Sequence, residues 1–88
     1  MSSLAQRSAA EIEAWLVTRI AKLLETEAGK IDPAQPIVRY GLDSVQWICL
    51  ITDLESWLGL KFTENPLPEH PTIDALSHYL AARSQGST

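Results

Sequence analysis

The sequence predicts an all-α fold: a bundle of three main helices plus one short helix, with a long ordered loop between the first and second main helices. Three observations carry that expectation. Apolar residues recur at steps of three and four in three separate segments, cap residues and glycines bracket those segments, and no run alternates apolar and polar residues as a half-buried strand would.

The first helix is expected from about Ala9 to Glu25, because Ile12, Trp15, Leu16, Ile20, Leu23 and Leu24 fall on one helical face. Ser8 followed three residues later by Glu11 has the capping-box pattern, and Gly29 permits termination. In "GKIDPAQPIVRYG", Pro33 and Pro36 break helical hydrogen bonding, while Ile31, Ile37, Val38 and Tyr40 offer core anchors, so this stretch reads as an ordered loop. The second helix should begin at Asp43 or Ser44, run to about Leu58 and end at Gly59. On its wheel Trp47, Ile51, Leu54 and Leu58 form the core side with Leu50 and Trp57 flanking, whereas Val45, Cys49, Thr52 and Ser56 project oppositely and Ile48 lies between. Between Leu60 and His70, Thr63 and Asn65 are possible caps and two prolines follow, which allows one short helical turn. Thr72 then caps a last helix carrying Asp74 in its first turn and Ile73, Leu76, Tyr79 and Leu80 inward, ending near Arg83, with "SQGST" as a frayed tail.

Composition bounds what such a bundle could do. The 88 residues suit a single domain spanning the chain, with an ordered core over about 9–83. A formal charge of -4 opposes nucleic acid and anionic lipid as ligands. Cys49 is the single cysteine, the start "MSSLAQRSAA" lacks the pattern of a signal peptide, and no apolar run has the length of a membrane span, so a cytoplasmic monomer is expected. Two histidines and one cysteine give no zinc spacing, and no bound metal is expected.

The stretch "RYGLDSVQWI", Arg39 to Ile48, places a serine directly after an aspartate where a loop turns into a helix. A nucleophilic Ser44 would need a base and an orienting group, yet His70 and His78 lie far away in sequence, and the chain is small for a substrate cleft. A simple cap at Asp43 or Ser44 satisfies the helix start but does not ask for apolar residues on the outward side. Val45 and Ile48, beside Cys49, make such a patch within one turn of the serine, which points to a docking partner. Phosphate attached to that hydroxyl would meet the free N–H groups and positive pole of the helix; Asp43 opposes it with its own charge, and either caps the helix or helps a partner enzyme hold a metal ion. Trp15, Trp47 and Trp57 read as core or flank rather than as walls of a binding groove, and Cys49 as a small helix residue rather than a redox thiol.

With "GLDS" ahead of an apolar helix, "DLESWLG" downstream and "HPTIDAL" opening the last helix, the chain resembles an acyl carrier protein from about Glu11 to Ala82, nearest to the carriers of polyketide synthases and related lipid-assembly systems. The resemblance implies a 4'-phosphopantetheine arm on Ser44, installed from coenzyme A by a phosphopantetheinyl transferase, and acyl groups carried as thioesters on the arm's sulfur. It implies a carrier with no turnover of its own, read by ketosynthase, acyltransferase or acyl ligase and tailoring enzymes. It places Asp43, Val45, Ile48, Thr52, Asp53 and Glu55 on or near the face those partners read, the acids meeting basic patches and the apolar groups settling position. Peptide carriers usually approach the serine through a "GGxS"-like motif, so "GLDS" favours acyl cargo, with a peptidyl carrier as the near alternative. Carriers of fatty acid synthases are commonly more acidic along the second helix, where Gln46, Cys49 and Ser56 stand here. A non-covalent helical interaction module is the alternative outside the family.

Overall fold

A computed structural model describes residues 8–62 and 65–85, the side chains of 84 and 85 excepted. Three helices form: α1 (Ala9–Leu24), α2 (Ser44–Leu58) and α3 (Ile73–Gln85). No β-strand occurs among the described residues, and the all-α expectation holds.

Local chemistry sets each boundary. Ser8 accepts from the Glu11 N–H while the Glu11 carboxylate accepts from the Ser8 N–H, so the capping box forms as its residues predict. α1 ends at Leu24, within a residue of the expected Glu25 and well before Gly29: Glu25 takes a left-handed conformation with φ 57°, and its N–H and that of Thr26 close the last turn on Lys22 and Ala21 carbonyls. Glycine is absent from that position, so α1 ends with backbone strain that the sequence does not announce. Gly59, at φ 75°, ends α2 without such strain.

The core is aliphatic. Ile12, Leu16 and Ile20 of α1, Leu50, Leu54 and Leu58 of α2, and Ile73, Leu76 and Leu80 of α3 are all buried, each contributing about 1.5–3 kcal/mol of transfer free energy. The inward side of α2 is turned toward Leu50 relative to the predicted wheel, because Leu50 is buried whereas Trp47 and Ile51 are half-buried. The tryptophans lie at the flank, where Trp15 of α1 stacks on Trp57 of α2 with centroids 5.1 Å apart. Ser77 is buried in α3 and its hydroxyl donates to the Ile73 carbonyl at 2.7 Å, which satisfies it within the helix.

The long first loop is ordered by named bonds. It contains two 3-10 turns, Ala28–Lys30 and Ile37–Tyr40. The Ile37 N–H donates to the Pro71 carbonyl at 2.7 Å and the Asp74 N–H to the Pro33 carbonyl at 3.0 Å, pinning the loop to the entry of α3. The Tyr40 hydroxyl accepts from the Asp32 N–H and donates to the Asp32 carbonyl, folding the loop on itself. Ile31 and Ile37 are the buried anchors; Val38 is 70% exposed and does not anchor the loop as its apolar character suggested.

Between α2 and α3 the short element is a single turn over Pro66–Glu69, closed by the His70 N–H on the Pro66 carbonyl at 2.9 Å, and not a helix. Asn65 caps it through the Leu67 N–H at 3.1 Å, while the other expected cap, Thr63, lies outside the described residues. Thr72 caps α3 through the Ala75 N–H at 3.0 Å. That helix runs two residues past Arg83 to Gln85, so the start of the expected frayed tail is helical, and residues 86–88 lie outside those described. No helix among the described residues is long and apolar enough to cross a membrane.

Candidate functional site at the start of the second helix

Ser44 is the first residue of α2 and is exposed. Its neighbours fix that position from three directions. Gly41 takes φ 75°, a left-handed turn that ends the Ile37–Tyr40 segment and redirects the chain; a Cβ there would meet nothing within 4 Å, so only the backbone angle asks for glycine. Leu42 packs half-buried on the core and holds the chain down immediately ahead of the helix. Asp43, with extended backbone, is the N-cap.

The cap is reciprocal. Asp43 Oδ1 accepts from the Gln46 N–H at 2.8 Å, and Gln46 Oε1 accepts from the Asp43 N–H at 3.0 Å. Gln46 also donates from Nε2 to the Leu23 carbonyl at 3.2 Å, joining the start of α2 to the end of α1. Between the two sequence readings of the helix start, the structure selects Asp43 as the cap and leaves the Ser44 hydroxyl with no hydrogen-bond partner among the described residues. Gln46 had no assigned role in the sequence analysis, although D-x-x-Q ahead of an apolar run is itself a capping-box signal.

Chemically this is a presented hydroxyl and not a catalytic dyad. His70 stacks on Tyr79 at 4.1 Å and His78 sits 3.4 Å from Asp74 one turn away, so neither imidazole hydrogen-bonds Ser44. An anion esterified to Ser44 would sit at the positive end of a 15-residue helix, beside N–H groups of the first turn. An exposed oxygen, a rigid helix start and a helix dipole that works against the charge of the neighbouring Asp43 fit a phosphodiester-linked group.

The six residues expected to face partners divide into two sets. Val45 and Ile48 are 70% and 62% exposed, and Thr52 is exposed one turn further on, so these three do form an outward face next to Ser44. The three acids are engaged within the chain. Asp43 is the cap, Asp53 pairs with Arg19 of α1, and Glu55 is half-buried with Oε2 accepting from the Phe62 N–H at 2.8 Å. Cys49 is exposed on the same side as Val45.

The family model described as "Phosphopantetheine attachment site" matches residues 14–80. The acyl carrier protein TtuC of Teredinibacter turnerae is 33% identical over 76 residues, covering 86% of this chain and 87% of that protein. The highly reducing polyketide synthase NEC1 of Pyricularia oryzae is 31% identical over 84 residues, which is 96% of this chain but 3% of that much longer protein. Among solved structures, a free-standing peptidyl carrier protein from an uncharacterized secondary metabolic pathway of Acinetobacter baumannii superposes with a TM-score of 0.78 at 36% identity, covering 86% of this chain and 95% of its own.

Proposed function

The chain belongs to the phosphopantetheine attachment-site family of carrier proteins, whose prosthetic group is 4'-phosphopantetheine, and we propose that Ser44 bears it and that the domain, residues 1–88, carries acyl or polyketide intermediates between cytoplasmic enzymes. The single observation that carries this reading is the Ser44 hydroxyl, exposed and without a hydrogen bond among the described residues, at the first residue of a helix capped by its neighbour.

The group supplies a terminal thiol that holds cargo as a thioester. What the chain contributes is placement. Asp43 and Gln46 fix the first turn of α2, so Ser44 meets a visiting transferase in one orientation; the helix dipole would stabilise the charge on the non-bridging oxygens of a phosphodiester at Ser44; Val45 and Ile48 offer apolar contact to the visitor. Tethering holds the cargo at high effective concentration near each enzyme in turn, which is useful only when docking is weak enough to be released quickly. A phosphopantetheinyl transferase is one partner on this reading, and a ketosynthase, an acyltransferase or acyl ligase and tailoring enzymes are the others. Partner contact rests chiefly on Val45, Ile48 and Thr52, with Asp43, Asp53 and Glu55 contributing less because their carboxylates already have intramolecular partners.

Intact mass after incubation with coenzyme A, Mg2+ and a broad-specificity transferase tests the assignment: a gain of about 340 Da is expected, and Ser44→Ala should abolish it. Mass gain in the Ser44→Ala protein, or none in the native protein, would reject Ser44 as the tether. A peptidyl carrier is the second reading, favoured by the similarity to the Acinetobacter baumannii carrier. Loading the holo-protein with amino-acid adenylating enzymes against acyl ligases separates the two by the mass of the thioester formed.

A further inference from the structure

The outward face of α2 continues from Ser44 to an open groove of about 350 Å3 at the far end of the helix, lined by Thr52, Glu55, Ser56, Gly59, Leu60 and Lys61. We propose that this groove is the resting site of the tethered arm's neutral end, binding its amide and thioester portion with a short uncharged acyl group; this rests on the attachment at Ser44.

Three features carry it. The first is alignment. At about 100° per residue, Ser44, Ile48, Thr52, Glu55 and Gly59 fall within an arc of roughly 80°, so a straight path leads from the tether point along one side of the helix. It crosses Ile48, which is 62% exposed and gives methylene contact midway.

The second is reach. At about 1.5 Å per residue, Thr52 is roughly 12 Å and Gly59 roughly 22 Å along the axis from Ser44. An extended phosphopantetheine chain spans about 18 Å on ordinary covalent geometry, so its distal amide and sulfur fall between those limits. Tethering supplies an effective concentration on the order of millimolar, enough to populate a shallow site that free ligand would occupy poorly.

The third is chemistry. The groove sits at the lower end of the roughly 300–1,000 Å3 range of small-molecule sites. Its lining mixes Leu60 with the Thr52 and Ser56 hydroxyls and a Glu55 carboxylate that has one oxygen on the Phe62 N–H and the other, Oε1, remaining. Those groups can donate to and accept from the arm's secondary amides. The C-terminal pole of α2 disfavours an anion there, the Glu55 and Lys61 charges in the lining offsetting one another, while the N-terminal pole favours one at Ser44. The arm's polarity matches: phosphate at one end, neutral amides and sulfur at the other.

Backbone amide NMR of the 15N-labelled protein tests this directly. The apo, arm-bearing and acetyl-loaded forms are compared, each verified by mass. The expected result is perturbation at Ile48, Thr52, Ser56, Gly59 and Leu60 in addition to residues around Ser44. Ser56→Phe, which fills the groove from an exposed position, should lose the distal perturbations while keeping the mass gain and the helical far-UV spectrum. Perturbations confined to residues 42–47 would overturn the proposal. So would perturbations centred on Leu76 and Leu80, which would put the cargo between the helices, or distal perturbations unchanged by Ser56→Phe. Failure to gain mass at Ser44 would instead overturn the attachment itself, and the mass measurement distinguishes that result from the others.

Discussion

Arg19 of α1 and Asp53 of α2 form an ion pair across the seam between the two helices, and the same guanidinium lies 4.7 Å over the ring of Trp15, which in turn stacks on Trp57. The chain of contacts thus crosses the seam twice. Both charged side chains are more than a third exposed, so solvent screening limits the pair to about 0.2–1 kcal/mol. A double-mutant cycle with Arg19→Ala and Asp53→Ala in urea should return a coupling within that range. Arg19→Ala alone should also alter the tryptophan emission, because it uncovers the Trp15 face. Coupling near zero with unchanged emission would mean the clasp does not form in solution.

Asp43 and Ser44 should separate cleanly in stability. Asp43→Ala removes the cap and should cost about 1 kcal/mol, whereas Ser44→Ala lies at the first helical position and should change stability by less than about 0.5 kcal/mol. Urea denaturation of the two apo variants checks this. A cost at Ser44 equal to that at Asp43 would show that the serine also caps.

Glu55 holds the loop after α2 by accepting from the Phe62 N–H. Glu55→Ala should destabilise by about 1–2 kcal/mol, and Glu55→Gln, which keeps an acceptor, by less. If the carboxylate served only as a surface charge, both changes would fall within about 0.5 kcal/mol.

Docking of the arm-installing transferase should respond to the apolar face more than to the acids. Val45→Ser and Ile48→Ser are each expected to raise KM for the carrier several-fold with kcat retained. Asp53→Asn should move it less than about twofold, because that carboxylate already has a partner and rim charges act weakly. Steady-state kinetics at low and high salt would show a small salt effect. A large rise in KM with salt would restore the acids as the main contact.

Glu25 offers a stabilising change. Its φ of 57° costs a non-glycine residue about 1–2 kcal/mol, so Glu25→Gly should raise stability by roughly 0.5–1 kcal/mol after the glycine's unfolded-state entropy is deducted. A fall in stability would mean that the Glu25 side chain makes a compensating contact.

Much of the bundle was legible because its signals are local. Ser8 with Glu11, the three apolar periodicities, Gly59 and Thr72 each act within four residues, so helix positions and the exposed serine at a helix start follow from residue order alone. Local reasoning failed where two distant segments had to meet. No spacing rule announces that Glu25 would adopt a glycine's conformation, whereas Leu50 shares the four-residue step of Leu54 and Leu58 and its central place was legible. None announces that Arg19 would take up Asp53 across the seam, 34 residues away, or that the Phe62 N–H would fold back on Glu55. By itself the sequence determined three amphipathic helices and a hydroxyl at the head of the second, since hydrophobic period and capping are properties of neighbouring residues. Only the tertiary structure decided which acids remain available to a partner and where the outward face of α2 opens into a groove, because those depend on charges and surfaces that folding brings together from separate parts of the chain.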